Sequence, residues 1–172
     1  LVEGQSRIGS AATVADIYRV AVEAGGRMVD CDACELLVEE SGSVDLAERF
    51  VPSGVDPPPD GATASAVATH AYRSGDPLLI DDTHRDDRVD TDTDYRSILS
   101  VPLLPHGVIQ FLHRDPDAFD DHALSLAAVF GGYIAHELDL RVSERRATAG
   151  DILSAASTER LFDLADVLVV AI

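Results

Sequence analysis

Lysine is absent from this 172-residue chain. All thirteen basic residues are arginine, set against 22 aspartates and nine glutamates, and the formal net charge is −18. A chain with no basic patch cannot neutralise the phosphates of a nucleic acid, so direct binding to DNA or RNA is excluded as its task. Anionic membrane surfaces are disfavoured for the same reason. Long apolar runs are missing too. A spanning helix needs roughly 20 apolar residues, and the final run from Val167 to Ile172 is far shorter. No signal peptide is visible. These absences lead us to expect a cytoplasmic protein. The chain opens at Leu1 rather than Met, as expected of a piece cut from a longer protein.

Cysteine is scarce. Cys31 and Cys34 form a lone C-x-x-C. A structural zinc site needs four ligands, and there is no second pair. The βαβ context of a redox C-x-x-C is also missing. The two residues read as small, half-buried side chains at a helix-to-strand junction, with a redox pair as the alternative. Histidines stand at 70, 84, 106, 113, 122 and 136 without the spacing of a metal motif. Neither a G-x-S-x-G nor a Gly-rich phosphate loop occurs, so nothing points to catalysis. The run from Asp90 to Asp94 has the look of a calcium loop but lacks its Gly and Glu; Tyr95 and Val101 stand there instead.

Abundant short carboxylates with no lysine suit a protein built for the cytosol of a salt-accumulating microbe. Near 1 M salt the Debye length is about 3 Å, which suppresses self-repulsion. Folding should weaken below about 0.5 M salt, where that length grows past roughly 4 Å. Thermal melts in dilute and multimolar KCl test this. A melting temperature unchanged or higher in dilute buffer would refute the salt-adapted reading.

What is present is hydrophobic patterning. Thr13 precedes apolar residues at Val14, Ile17, Tyr18, Ala21, Val22 and Gly25, which is helical spacing with a capping box at Asp16. Strand-like runs over Ala33 to Glu39 and Val44 to Pro52 flank the turn signal Ser41-Gly42-Ser43. The proline-rich Val55 to Gly61 is loop. A helix follows from Ala62 to Ser74, with Gly75 suited to its C-cap. Leu78-Leu79-Ile80 is a short strand, and Asp81 to Asp94 is a polar segment. Tyr95 to Leu112 reads as a central hairpin around Pro105-His106-Gly107, covered on both faces, with a bulge or strand end expected at Pro102. Asp120 caps a long helix to about Arg146, and a further helix is expected near Thr158 to Leu168. The order defines an α+β fold around an antiparallel sheet.

Three segments carry a family resemblance. They are "ATHAYRSGDPLLIDD" from Ala68, "YRSILSVPLLPHGVIQFL" from Tyr95, and "AFDDHALSLAAVFGGYIAHEL" from Ala118. In this order and spacing they resemble the GAF domain, a sensory module of signalling proteins. The resemblance covers about residues 11 to 146. It implies a twisted antiparallel sheet of five to six strands, terminal helices on one face and a ligand pocket on the other. Residues 1–146 would then form the sensor domain, and 147–172 an extension or linker to an absent output domain. The lysine-containing pattern of cyclic-nucleotide-binding relatives cannot be supplied. Bilin-binding relatives attach chromophore through a cysteine, and that role is not carried over to Cys31 or Cys34. Free methionine sulfoxide reductases use pocket cysteines, which these are not.

The implied reading is a non-catalytic sensor of an unknown small molecule, with no cofactor identified. The pocket would lie between the sheet and the Ile80–Tyr95 segment. Its expected lining is Ile80, Asp82, Tyr95, Ser97, Leu99, Phe111 and His113. The closing helix carries Leu124, Ala128, Gly131, Ala135, Leu138 and Val142 at three- and four-residue steps, an a/d seam expected to meet a second copy in a homodimer. A competing stripe at Leu126, Phe130, Tyr133 and Ile134 would take the core. The alternatives are a ligand-free dimerisation module and a redox sensor acting through Cys31 and Cys34.

Overall fold

The computed structural model describes residues 13–56, 62–89 and 94–169, with side chains described except at 62–64 and 148–169. The calcium-like run at 90–93 and the proline-rich 57–61 lie outside the described residues. Contacts divide the chain into two units, Leu1–Leu138 and Asp139–Ile172.

Helix α1 spans Val14–Met28. Its start is fixed by the capping box: the Asp16 N–H donates to Thr13 Oγ1 at 3.1 Å, and the Thr13 N–H donates back to Asp16 Oδ2 at 3.1 Å. Strands β1 (Ala33–Glu40) and β2 (Ser43–Phe50) form the first hairpin, with Ser41 and Gly42 at positive φ in its turn. Helix α2 covers Ala62–Ser74 and ends at Gly75, whose φ of 76° suits glycine. The short β3 is Leu78–Ile80, β4 is Ser97–Leu103 and β5 is Gly107–His113. Helix α3 runs over Asp121–Val169. Asp120 caps it by accepting from the Ala123 N–H at 2.8 Å.

The five strands form one sheet in the order β2-β1-β5-β4-β3, with every described neighbour pair antiparallel. The second hairpin therefore lies inside the sheet, as its doubly apolar strands require. Side chains alternate between the two faces. One face packs Leu36, Leu99 and Phe111 against Ile17 of α1 and Phe130 and Ile134 of α3. The opposite face sets Ala33, Ile98 and Leu112 against Val67 and Ala71 of α2. Leu37 and Val108 continue that second layer under Ala68.

One expectation is met in part and one is corrected. Pro102 is the last residue but one of β4, opposite Val108, so it marks the strand end and not a bulge; the sheet's irregularity falls between Leu36 and Leu37. The short β3 pairs only as far as Leu78 opposite Ser100, so β4 needs no donor toward β3 at position 102. The closing helix does not stop near Arg146 but continues to Val169. The single Gly150 costs a helix about 1 kcal/mol, which is a weakness and not a terminator.

Candidate functional site

Strand register builds a line of side chains straight across the sheet. Arg49 on β2 lies opposite Glu35 on β1, Glu35 opposite Gln110 on β5, Gln110 opposite Ser100 on β4, and Ser100 opposite Leu78 on β3. All share the face that α2 covers. Glu35 is 2% exposed, and Ser100 and Gln110 are fully buried. Three polar groups dry at the centre of a small domain cost folding free energy unless hydrogen-bonded. Glu35 meets Arg49 through Nε at 2.8 Å and Nη2 at 2.7 Å, both on Oε1. Gln110 donates from Nε2 to Ser100 Oγ at 2.8 Å. Tyr95 is 4% exposed, with the Arg114 guanidinium 5.4 Å from its ring centroid. Burial pushes the Tyr95 phenol up.

The β3–β4 connection is tied at its base, and its Val89 and Tyr95 pack with the α2-side cluster. Asp82 takes a fork of two bonds from Arg96, at 2.8 Å from Nε and 2.6 Å from Nη2. Thr83 donates its N–H to the Arg96 carbonyl and its hydroxyl to the Tyr95 carbonyl, both at 2.8 Å. Ser97 donates to the Asp81 carbonyl at 2.9 Å. Hydrogen bonds from Arg96 hold the Asp82 carboxyl at about 2, against an ordinary 3.8. A carboxyl depressed in the folded state stabilises above its ordinary value and loses that contribution as the pH falls through its folded one. Acid unfolding of wild type should therefore steepen between about pH 4 and pH 2. Asp82→Asn should lack that component, so a superimposable acid-unfolding curve would contradict this role.

The sequence-derived lining does not form one cluster. Ile80 and Tyr95 lie on the α2 face beside the polar line. Leu99 and Phe111 lie on the opposite face, fully buried against α1 and α3. Ser97 shares their parity on β4 and accepts the Ala118 N–H at 3.0 Å, pinning the chain before α3. His113 follows Phe111 in parity, meets the Phe119 ring edge-on at 6.3 Å and accepts the Asp115 N–H on Nδ1 at 2.9 Å. Asp82 is the latch already described. Phe111 and His113 share one face with Ile109, and large side chains fill that face. Glu35, Ser100, Gln110 and Arg49 were missed. For Ser100 and Gln110 the signal was polarity, each standing between apolar residues of its strand; Glu35 and Arg49 lie in strands with other charged residues and gave none.

Residues of the closing-helix seam also have definite places. Gly131 and Leu138 are buried, Leu138 within the core shared with the sheet. A Cβ at Gly131 would lie 2.6 Å from Val101 Cγ1, so the glycine lets α3 approach the protein's own sheet. Leu124, Ala128, Ala135 and Val142 are half-buried. The face turned outward carries Val129, 60% exposed, and Gly132, which has open space around it.

Cys34 lies within β1 and not beside it, and packs against the helical layer with Cys31. Both thiols are free and buried. Burial pushes Cys31 up to about 12, with Asp30 and Asp32 adding to the effect, and raises Cys34 as well. A redox sensor needs an accessible thiolate, and this placement withholds it. Iodoacetamide at pH 8 should leave both cysteines unlabelled in the native protein and label both after unfolding. Rapid native labelling would restore the redox reading. A crevice of about 260 Å³ opens elsewhere, between Met28, Phe119, His122 and Leu126 at the helix ends, with Asp120 on its rim committed to its capping bond.

A five-stranded antiparallel sheet with α1 and α3 on one face and α2 on the other is an α+β fold of the GAF kind. A family model described as GAF domain matches residues 11–139, and the chain belongs to the GAF domain family. Among solved structures it is similar to the GAF domain of a phosphoenolpyruvate-protein phosphotransferase from Coxiella burnetii: 13% identity, TM-score 0.68, covering 87% of this chain and 94% of that one. It is similar to the GAF domain of the cyanobacteriochrome TePixJ at 14% identity and TM-score 0.63, covering 78% and 94%. It is also similar to the free methionine-R-sulfoxide reductase of Neisseria meningitidis, solved with its substrate, at 12% identity and TM-score 0.71, covering 83% and 88%. No curated protein matches the sequence significantly. No helix among the described residues is long and apolar enough to cross a membrane.

Proposed function

We propose that this GAF domain is a non-catalytic, cytoplasmic sensor that binds a small molecule between its sheet and α2. One observation carries the reading. The polar line of Glu35, Gln110 and Ser100 is buried on the face that α2 covers, among the apolar side chains packed there. A fold that needed only stability would gain from apolar residues at these positions. Polar groups kept dry at the sheet's centre suit recognition of a compact ligand. Ligand affinity that differs between two states of the domain would bias an output domain. Catalysis of the methionine sulfoxide kind has little support here, because both cysteines face the helical layer and have raised pKa values. Native mass spectrometry of the protein purified from its own host tests the reading. A reproducible small-molecule adduct is expected, and a bare chain mass from host material would count against it.

The dimer is proposed on a different surface from the a/d seam. Val129 and Gly132 lie on the side of α3 turned away from the sheet, and a second copy would cover them. Sedimentation at high salt should give a dimer that Val129→Arg converts to monomer with unchanged circular dichroism. A monomeric wild type at high protein concentration would remove this proposal and leave the sensor reading standing.

A further inference from the structure

The Gln110 side chain is fully buried, and its Oε1 has no hydrogen-bond partner among the described residues. Its other end is engaged, Nε2 donating to Ser100 Oγ. Turning the amide over would pair its oxygen with the Ser100 hydroxyl. As the amide is placed, its oxygen is the end that lacks a partner. A buried polar atom left unmade is costly, and native proteins rarely tolerate one without a reason. The same line shows what kind of group is missing. Its one acid and one base, Glu35 and Arg49, are bonded to each other. Next to Gln110 stand Glu35, whose charge Arg49 meets, Ser100, which is neutral, and the apolar Ile98, Val108 and Leu112. A charged ligand group would have to be desolvated there with no counter-charge left to meet it.

We infer that the ligand of this domain is an uncharged molecule whose carboxamide-like group, able to donate and accept, pairs with the orphaned end of Gln110. This rests on the sensor reading above and adds the ligand's class. Small residues at Ala68 and Ala71 on α2 face this layer, so a flat group could enter with a modest shift of the helix.

Three probes of similar shape separate the possibilities: benzamide, benzoate and benzylamine. Each is added to the full chain in multimolar KCl, and thermal melts are recorded for wild type and Gln110→Leu. Benzamide should raise the wild-type melting temperature, by about 3 °C or more at tenfold excess over its Kd. Benzoate and benzylamine should not. The benzamide shift should vanish in Gln110→Leu, which removes the amide that the probe would meet. A larger shift from benzoate or benzylamine overturns the inference and leaves a sensor of charged ligands. Persistence of the benzamide shift in Gln110→Leu overturns it as well. Absence of any shift from all three probes overturns it too. If protein purified from its own host then also shows no small-molecule adduct by native mass spectrometry, the sensor reading loses its site as well.

Discussion

Gly131→Leu is expected to destabilise the domain severely, whereas the same change one residue later should be nearly silent. At Gly131 an added Cβ would stand 2.6 Å from Val101 Cγ1 and 3.4 Å from Leu103 Cδ2. Val101 is β-branched and held in the second strand from the sheet edge, so it cannot rotate away. Helix and sheet must separate, and the cost of such overpacking is about 3 kcal/mol or more. That lowers the melting temperature by roughly 6–12 °C in a domain of this size. At Gly132 nothing lies within 4 Å of an added Cβ. Removing an interior helix glycine there should contribute up to about 1 kcal/mol of stability. Melts of the two variants at high salt measure the contrast. Equal stability would mean that α3 does not sit on Val101.

Arg49→Met should cost almost as much, by a different route. Glu35 is 2% exposed, and Arg49 is the cation that meets it. Removing one partner of a dry ion pair leaves a buried charge and typically costs about 3–5 kcal/mol. Replacing both, as Glu35→Leu with Arg49→Met, should recover most of that loss, because the desolvated carboxylate goes too. Urea unfolding of the two single variants and the double variant gives the coupling. A loss under about 1 kcal/mol for Arg49→Met would put the pair in the class of solvent-screened surface bridges, and the polar line would not be dry.

The elements were legible where local chemistry is strong. Thr13 with Asp16, Gly75 after Ser74, and Asp120 before the closing helix mark their boundaries through specific hydrogen bonds or a positive φ, and all three fall where the patterning put them. The two hairpins were legible because alternating and doubly apolar strands read differently. Facing was not. Along β4 and β5 nearly every residue is apolar, so the period-two signal that tells one side from the other is silent, and a choice one residue out selects the wrong face. Leu99 and Phe111 were assigned to the pocket from the family resemblance, which could not correct for this, while Ser100 and Gln110, their immediate neighbours, point to the α2 side. The seam on α3 was hidden similarly. Ala128, Gly131 and Ala135 announce close approach, but sequence cannot say whether the approaching surface belongs to the same chain. Val101 supplies that answer at Gly131.

The proposed ligand site at the buried polar line is the centre of this account, and a crystal structure of the protein purified from its own host tests it most directly. The account predicts density for a compact, uncharged molecule between α2 and the sheet, within hydrogen-bond distance of Gln110. Density confined to the crevice beside Phe119, or a Gln110 amide bonded at both ends with α2 closed directly on the sheet, would contradict it.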